Sequence, residues 1–130
     1  GGPQIVNPVS AAQTPDQRAY ALIGSYAALI ETATGIVRDP AVPIEAKRAL
    51  GRAEAAATPA VHMLEISFAA YLRARAGFES ASGGNQTAIT RASAALNATA
   101  QALAQAIEAA QAPIAELQAL VSTHHNGAAR

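Results

Sequence analysis

A seven-residue apolar repeat runs through the last third of the chain and constrains its fold more than any other feature. Sustained heptads are typical of a helix that packs lengthwise against other helices. The repeat predicts a helix from about Gln86 to Ser122, with Asn85 as its N-cap. One line of the repeat is Ile89, Leu96, Leu103, Ala110 and Leu117, and the other is Ser93, Ala100, Ile107, Ile114 and Val121.

Two more helices are predicted upstream of this repeat. Thr14 and the three residues that follow it (TPDQ) form a capping-box start, and the Pro-containing segment 38–43 ends that first helix. Its two apolar stripes, one through Tyr20 and Val37 and one through Leu22 and Ile36, predict packing on two sides. The second helix is predicted from Pro43 to about Phe78. Its seam is Ala57, Val61, Leu64, Phe68, Tyr71, Arg75 and Phe78.

The predicted fold is all-α: an antiparallel up-down-up three-helix bundle over residues 14–123. It carries an extended N-terminal arm, residues 1–13, and a flexible tail, residues 124–130. Thin helices are expected because 36 of the 130 residues are alanine. Pro59 and Pro113 should kink the second and third helices, with Gly51 making room opposite Pro113. The short first helix should leave one end of the longer hairpin uncovered.

Composition limits the classes of partner. Nine basic and nine acidic residues cancel and are scattered, so no basic stripe is available for a nucleic acid backbone. Only 14% of the residues are charged, and a weakly charged surface favours association. The absence of cysteine excludes disulfides and thiol nucleophiles.

Chemical motifs are few. His62 and Glu65 lie three apart on one helix and could share a metal, but an exposed histidine is the better interpretation. His124 and His125 are adjacent and point in different directions, which favours carbonyl capping or solvation. No nucleophile elbow, phosphate loop or HExxH pattern occurs, so we expect a non-enzymatic protein without cofactor or metal.

The segment from Thr14 to Ala33 (TPDQRAYALIGSYAALIETA) resembles the start of small Ala-rich helical lipoproteins of proteobacteria and their phages. The resemblance implies a place in the bacterial envelope, on the periplasmic side or at the outer membrane. It also implies a lipidated cysteine before Gly1, with residues 1–13 as the tether. It implies no catalytic residues.

These observations predict a structural or accessory subunit of an envelope assembly, which binds a larger protein or further copies of itself. The expected contacts are an Ala/Leu helical seam and the N-terminal arm. The residues assigned to partner binding are Ile5, Val6, Val9, Leu96, Leu103, Ile107, Ile114, Leu117 and Val121. The alternative is an amphipathic helical module that binds lipid or another hydrophobic surface. A membrane span over the apolar run 19–37 is disfavoured by Glu31.

Overall fold

The fold is a bundle of three helices, seen in a computed structural model that describes the backbone of residues 14–128 and the side chains of residues 14–124. Helix α1 is Pro15–Arg38, α2 is Ile44–Ala81 and α3 is Gln86–Ala128. No strand occurs between residues 14 and 128. Every pair of helices is in contact, most extensively α2 with α3. The predicted all-α three-helix bundle is confirmed.

The helix starts follow the sequence signals. The Thr14 hydroxyl accepts a hydrogen bond from the Gln17 backbone N–H at 3.4 Å, and the Gln17 side chain accepts one from the Thr14 N–H. The Asn85 side chain caps α3 by accepting a hydrogen bond from the Ala88 N–H at 2.8 Å. These bonds satisfy N–H groups that have no partner within the first helical turn. Both predicted caps are therefore confirmed.

Two predicted helix ends are wrong. Helix α2 continues beyond Phe78 to Ala81, and α3 continues beyond Ser122 to Ala128. The Thr, His, Asn and Gly residues near the end of α3 lower helix propensity by up to about 1 kcal/mol each. None of them removes a backbone N–H as proline does, so the hydrogen-bond ladder can continue. Residues 1–13, the predicted arm, lie outside the described part.

The two internal prolines lie within continuous helices, Pro59 in α2 and Pro113 in α3. The expected match between Pro113 and Gly51 is wrong. Gly51 is exposed, and a Cβ added there would meet no atom of the described residues within 4 Å. Gly51 therefore points away from the helix interface and makes no room for α3.

Two hydrophobic clusters form the core. The first joins the middle of α2 and α3 to the start of α1, and its buried members are Ala19, Leu22, Val61, Leu64, Leu103, Ile107, Ala110 and Ile114. The second lies near the α1–α2 connection and contains Ala33, Ile36, Val42, Ala46, Leu50, Ala53, Leu117 and Val121. The predicted heptad lines of α3 thus supply the core of the bundle.

Only one stripe of α1 is buried in this core. Leu22 and Ile36 are almost fully covered, whereas Tyr20 is 74% exposed and Val37 is 44% exposed. Helix α1 contacts both α2 and α3, and Ile23 and Ile30 of the stripe through Tyr20 and Val37 pack, partly buried, against the two clusters. The other side of α1 remains at the surface.

Candidate interaction surfaces

Most of the predicted partner-binding residues of α3 lie inside the bundle. Leu103, Ile107 and Leu117 have no exposed surface, and Ile114 and Val121 are buried with them. Both heptad lines face α1 and α2, so these side chains stabilise the fold and cannot contact a separate protein while the bundle is intact. Their assignment to partner binding is corrected to core packing.

Leu96 is the exception among these α3 residues, because it is only half-buried. It belongs to the hairpin end, which we define as residues 65–102, where no residue is fully buried. The apolar side chains on its inner side are half-covered: Phe68, Tyr71, Leu72, Phe78, Ile89 and Leu96. Of these side chains, Phe68 and Tyr71 pack against the first core cluster.

An ion pair marks where α1 begins along the hairpin. The Arg75 Nη1 atom donates a hydrogen bond to Asp16 Oδ2 at 2.9 Å, and the Arg75 guanidinium carbon lies 5.8 Å from the centre of the Tyr71 ring. A hydrogen bond from the Thr14 hydroxyl, followed by that from Arg75, lowers the pKa of Asp16 from its ordinary value. The ion pair joins the start of α1 to Arg75 of α2. Helix α2 extends beyond this level to Ala81, and α3 begins beyond it at Gln86.

A second polar contact joins α1 to the middle of α2. The Tyr26 Oη atom lies 2.6 Å from Thr58 Oγ1, and the Thr58 hydroxyl donates to the Glu54 carbonyl at 2.8 Å. A hydroxyl has one proton to donate, so Tyr26 is the donor to Thr58. This bond fixes the register of α1 against α2 at the level of Pro59.

A shallow depression lies next to this contact on α2, lined by Gly51, Glu54, Ala55, Thr58, Pro59 and His62. Met63 and Ile66 extend it as apolar surface, at 55% and 49% exposure. We call the residues that share the outward side the outer stripe: Gly51, Ala55, Pro59, His62, Met63 and Ile66. Successive members lie four, four, three, one and three residues apart, which places them on one broad face of the helix. The sequence pattern did not predict this surface, because the apolar seam of α2 lies on the opposite face.

The histidines do not assemble a metal site in the part of the chain that the structure describes. His62 and Glu65 are both exposed on α2, and no group of three or more His, Asp or Glu side chains comes together among the described residues. His124 is half-buried, and the side chain of His125 lies outside the described residues. Two ligands from one helix are fewer than the three or four that zinc sites use.

Helix α1 is the one described helix that is long and apolar enough to cross a membrane by length and composition, with 17% of its most apolar window buried. Core helices and signal sequences satisfy the same criterion.

Comparison with protein-family models, with curated proteins and with solved structures gives no match to this chain. The class of protein is therefore defined by its architecture, an all-α three-helix bundle.

Proposed function

We propose that the protein is a non-enzymatic accessory subunit that binds a larger protein of a bacterial envelope assembly through the hairpin end. The observation that carries the proposal is the half-covered apolar surface of residues 65–102, which includes Leu96. Apolar side chains left at a helical surface gain stability when a partner removes them from water, by about 25 cal/mol per Å². The envelope location rests on the resemblance of residues 14–33.

The low charge of the chain supports this proposal. Charged residues are depleted at the centres of protein interfaces, and this sequence has 14% charged residues overall. The ion pair between Asp16 and Arg75 lies at the start of α1, and among residues 14–128 no third helix continues along the hairpin beyond it. A partner helix laid along this end would complete the packing that α1 supplies elsewhere.

A photocrosslinking experiment tests the proposal. A benzophenone side chain is placed at position 96 in the full chain, and the matched control carries it at position 112, where Ala112 is exposed on the outer side of α3. In intact cells of the source, position 96 should crosslink to one defined larger protein, and position 112 should not. Equal crosslinking at the two positions, or none at position 96, contradicts the proposal.

The exposed side of α1 supports a second candidate function, binding to a lipid surface. Tyr20 and Val37 are exposed, and α1 has little of its apolar length buried. A helix of this kind can lie in a membrane interface with its apolar side in the acyl boundary. Flotation with liposomes tests this candidate, and Tyr20→Glu should abolish binding while leaving helicity unchanged. An equal bound fraction for both proteins, or no flotation of either, excludes the lipid candidate.

A further inference from the structure

We infer that α3 pairs in antiparallel orientation with α3 of a second copy of the protein, through a line of exposed residues outside the core. We call this line the alanine face. Its members are spaced alternately four and three residues apart, which keeps them on one side of the helix. All are exposed: Arg91, Ala95, Ala98, Ala102, Gln105, Ala109, Ala112, Glu116 and Ala119. The pairing does not involve the hairpin end and does not depend on the function proposed above.

The composition of the alanine face differs from that of an ordinary solvated helix surface. The outward side of a helix in a globular protein usually carries charged and polar side chains. Here most positions are alanine, and the only charged members, Arg91 and Glu116, lie near the two ends. Small side chains allow two helix axes to approach closely, because the interaxial distance depends on the side chains at the contact. The charges then decide which helix fits.

The charges of α3 favour a second copy in antiparallel orientation. Neither Arg91 nor Glu116 has an ion-pair partner among the described residues. A parallel two-fold pair must be in register, so Arg91, Glu108 and Glu116 would each lie beside the same residue of the other copy. Such like-charge pairs oppose association. An antiparallel pair instead brings the basic end of each helix to the acidic end of the other.

Charge complementarity also selects the register. Two antiparallel registers pair all members of the alanine face but one. In the first, Arg91 lies opposite Glu116 and Ala98 opposite Ala109, with the two-fold axis between positions 103 and 104. In the second, Glu116 lies opposite Ala98, and Arg91 is the member left unpaired. Only the first joins opposite charges, and the two-fold axis makes it do so twice.

The contact has the size of a small specific interface. In the first register the two helices overlap over residues 86–121, which is about 54 Å at 1.5 Å per residue. A strip about 10 Å wide along this length covers roughly 540 Å² on each copy, or ~1,080 Å² in total. Specific interfaces bury at least about 1,000 Å². We therefore expect a reversible dimer that forms at high protein concentration.

Charge reversal in the full-length protein tests the pairing, with the dimer dissociation constant measured by sedimentation equilibrium. Arg91→Glu and Glu116→Arg should each raise this constant at least ~10-fold, because each places like charges together twice. An equimolar mixture of the two variants should associate as tightly as the parent, since every contact in the mixed dimer again joins opposite charges. Arg73→Glu, a reversal of an exposed arginine on α2, is the control and should change nothing.

A second pair of variants tests the close approach of the helices. Ala102→Lys places a long side chain in the alanine face, whereas Ala104→Lys changes an exposed alanine that lies about 200° further around the same helix. Only Ala102→Lys should weaken the dimer, and circular dichroism verifies that both variants keep the helical content of the parent. The inference is overturned by a parent that is monomeric at ~1 mM, by a mixture that does not recover, or by equal effects at positions 102 and 104.

The result is distinguishable from that of the photocrosslinking experiment at the hairpin end. A crosslink between two copies, including one from position 112, has twice the mass of the chain and cannot be mistaken for a larger protein. Failure to dimerise leaves the crosslink expected at position 96 unchanged, and failure of that crosslink leaves the sedimentation result unchanged.

Discussion

Leu103→Ala should destabilise the protein strongly, because this side chain is a central member of the first core cluster. Leu103 has no exposed surface and packs among buried residues from all three helices. The substitution removes three carbon atoms at about 0.8 kcal/mol each, and the cavity left behind adds to that loss. We expect the free energy of unfolding to fall by about 3–4 kcal/mol, within the usual range for buried leucine.

The matched control is Leu96→Ala, one heptad earlier in the same line of α3. Leu96 is only half-buried, so its loss should be about 1 kcal/mol. A chain of this size has an unfolding entropy near ~0.27 kcal/mol/K, from about 2.1 cal/mol/K per residue. The two substitutions should therefore lower Tm by about 11–15 °C and about 4 °C respectively.

Thermal and urea unfolding followed by circular dichroism at several protein concentrations provide the assay. The expected losses should not depend on concentration, because the packing lies within one chain. Equal losses for Leu103→Ala and Leu96→Ala would refute the assignment of Leu103 to the core. So would a loss for Leu103→Ala that appears only at high concentration, since that would place this residue at an intermolecular contact.

Three further substitutions give measurable changes in stability. Gly51→Ala should raise the free energy of unfolding by about 0.5–1 kcal/mol, because Gly51 lies within a helix and an added Cβ meets nothing within 4 Å. Gly84→Ala, whose Cβ would lie 3.2 Å from the Ala81 carbonyl, is the contrasting control in the same urea titration and should give no such gain. Pro59→Ala restores a backbone N–H and should raise the free energy of unfolding by up to about 3 kcal/mol, with a corresponding rise in Tm. An unchanged or lower Tm contradicts this account of Pro59. Because the pKa of Asp16 is lowered in the fold, its stabilisation is present above the unfolded pKa of about 3.9 and is lost as pH falls through the folded value. The stability difference between the parent and Asp16→Asn should therefore shrink on acidification below pH ~5, and a constant difference from pH 7 to pH 3 refutes the lowered pKa that the hydrogen bonds from Thr14 and Arg75 give Asp16.

The sequence predicted the helices well because their signals are local. The capping box at Thr14 and the cap at Asn85 depend on residues within one turn, and both formed as predicted. The heptad lines of α3 correctly indicated which side chains face inward. They could not indicate whether the neighbour is another helix of the chain or a separate protein, so Leu103 was assigned to a partner and is buried in the core.

Surfaces were harder to predict than the core. The outer stripe depends on which face of α2 remains free after α1 and α3 have packed, and that is decided by tertiary contacts. Gly51 illustrates the difficulty, because helical spacing alone does not reveal whether a glycine faces a neighbour or solvent. The placement of α1 at Arg75, which leaves the hairpin end half-covered, likewise depends on a contact between residues 59 positions apart.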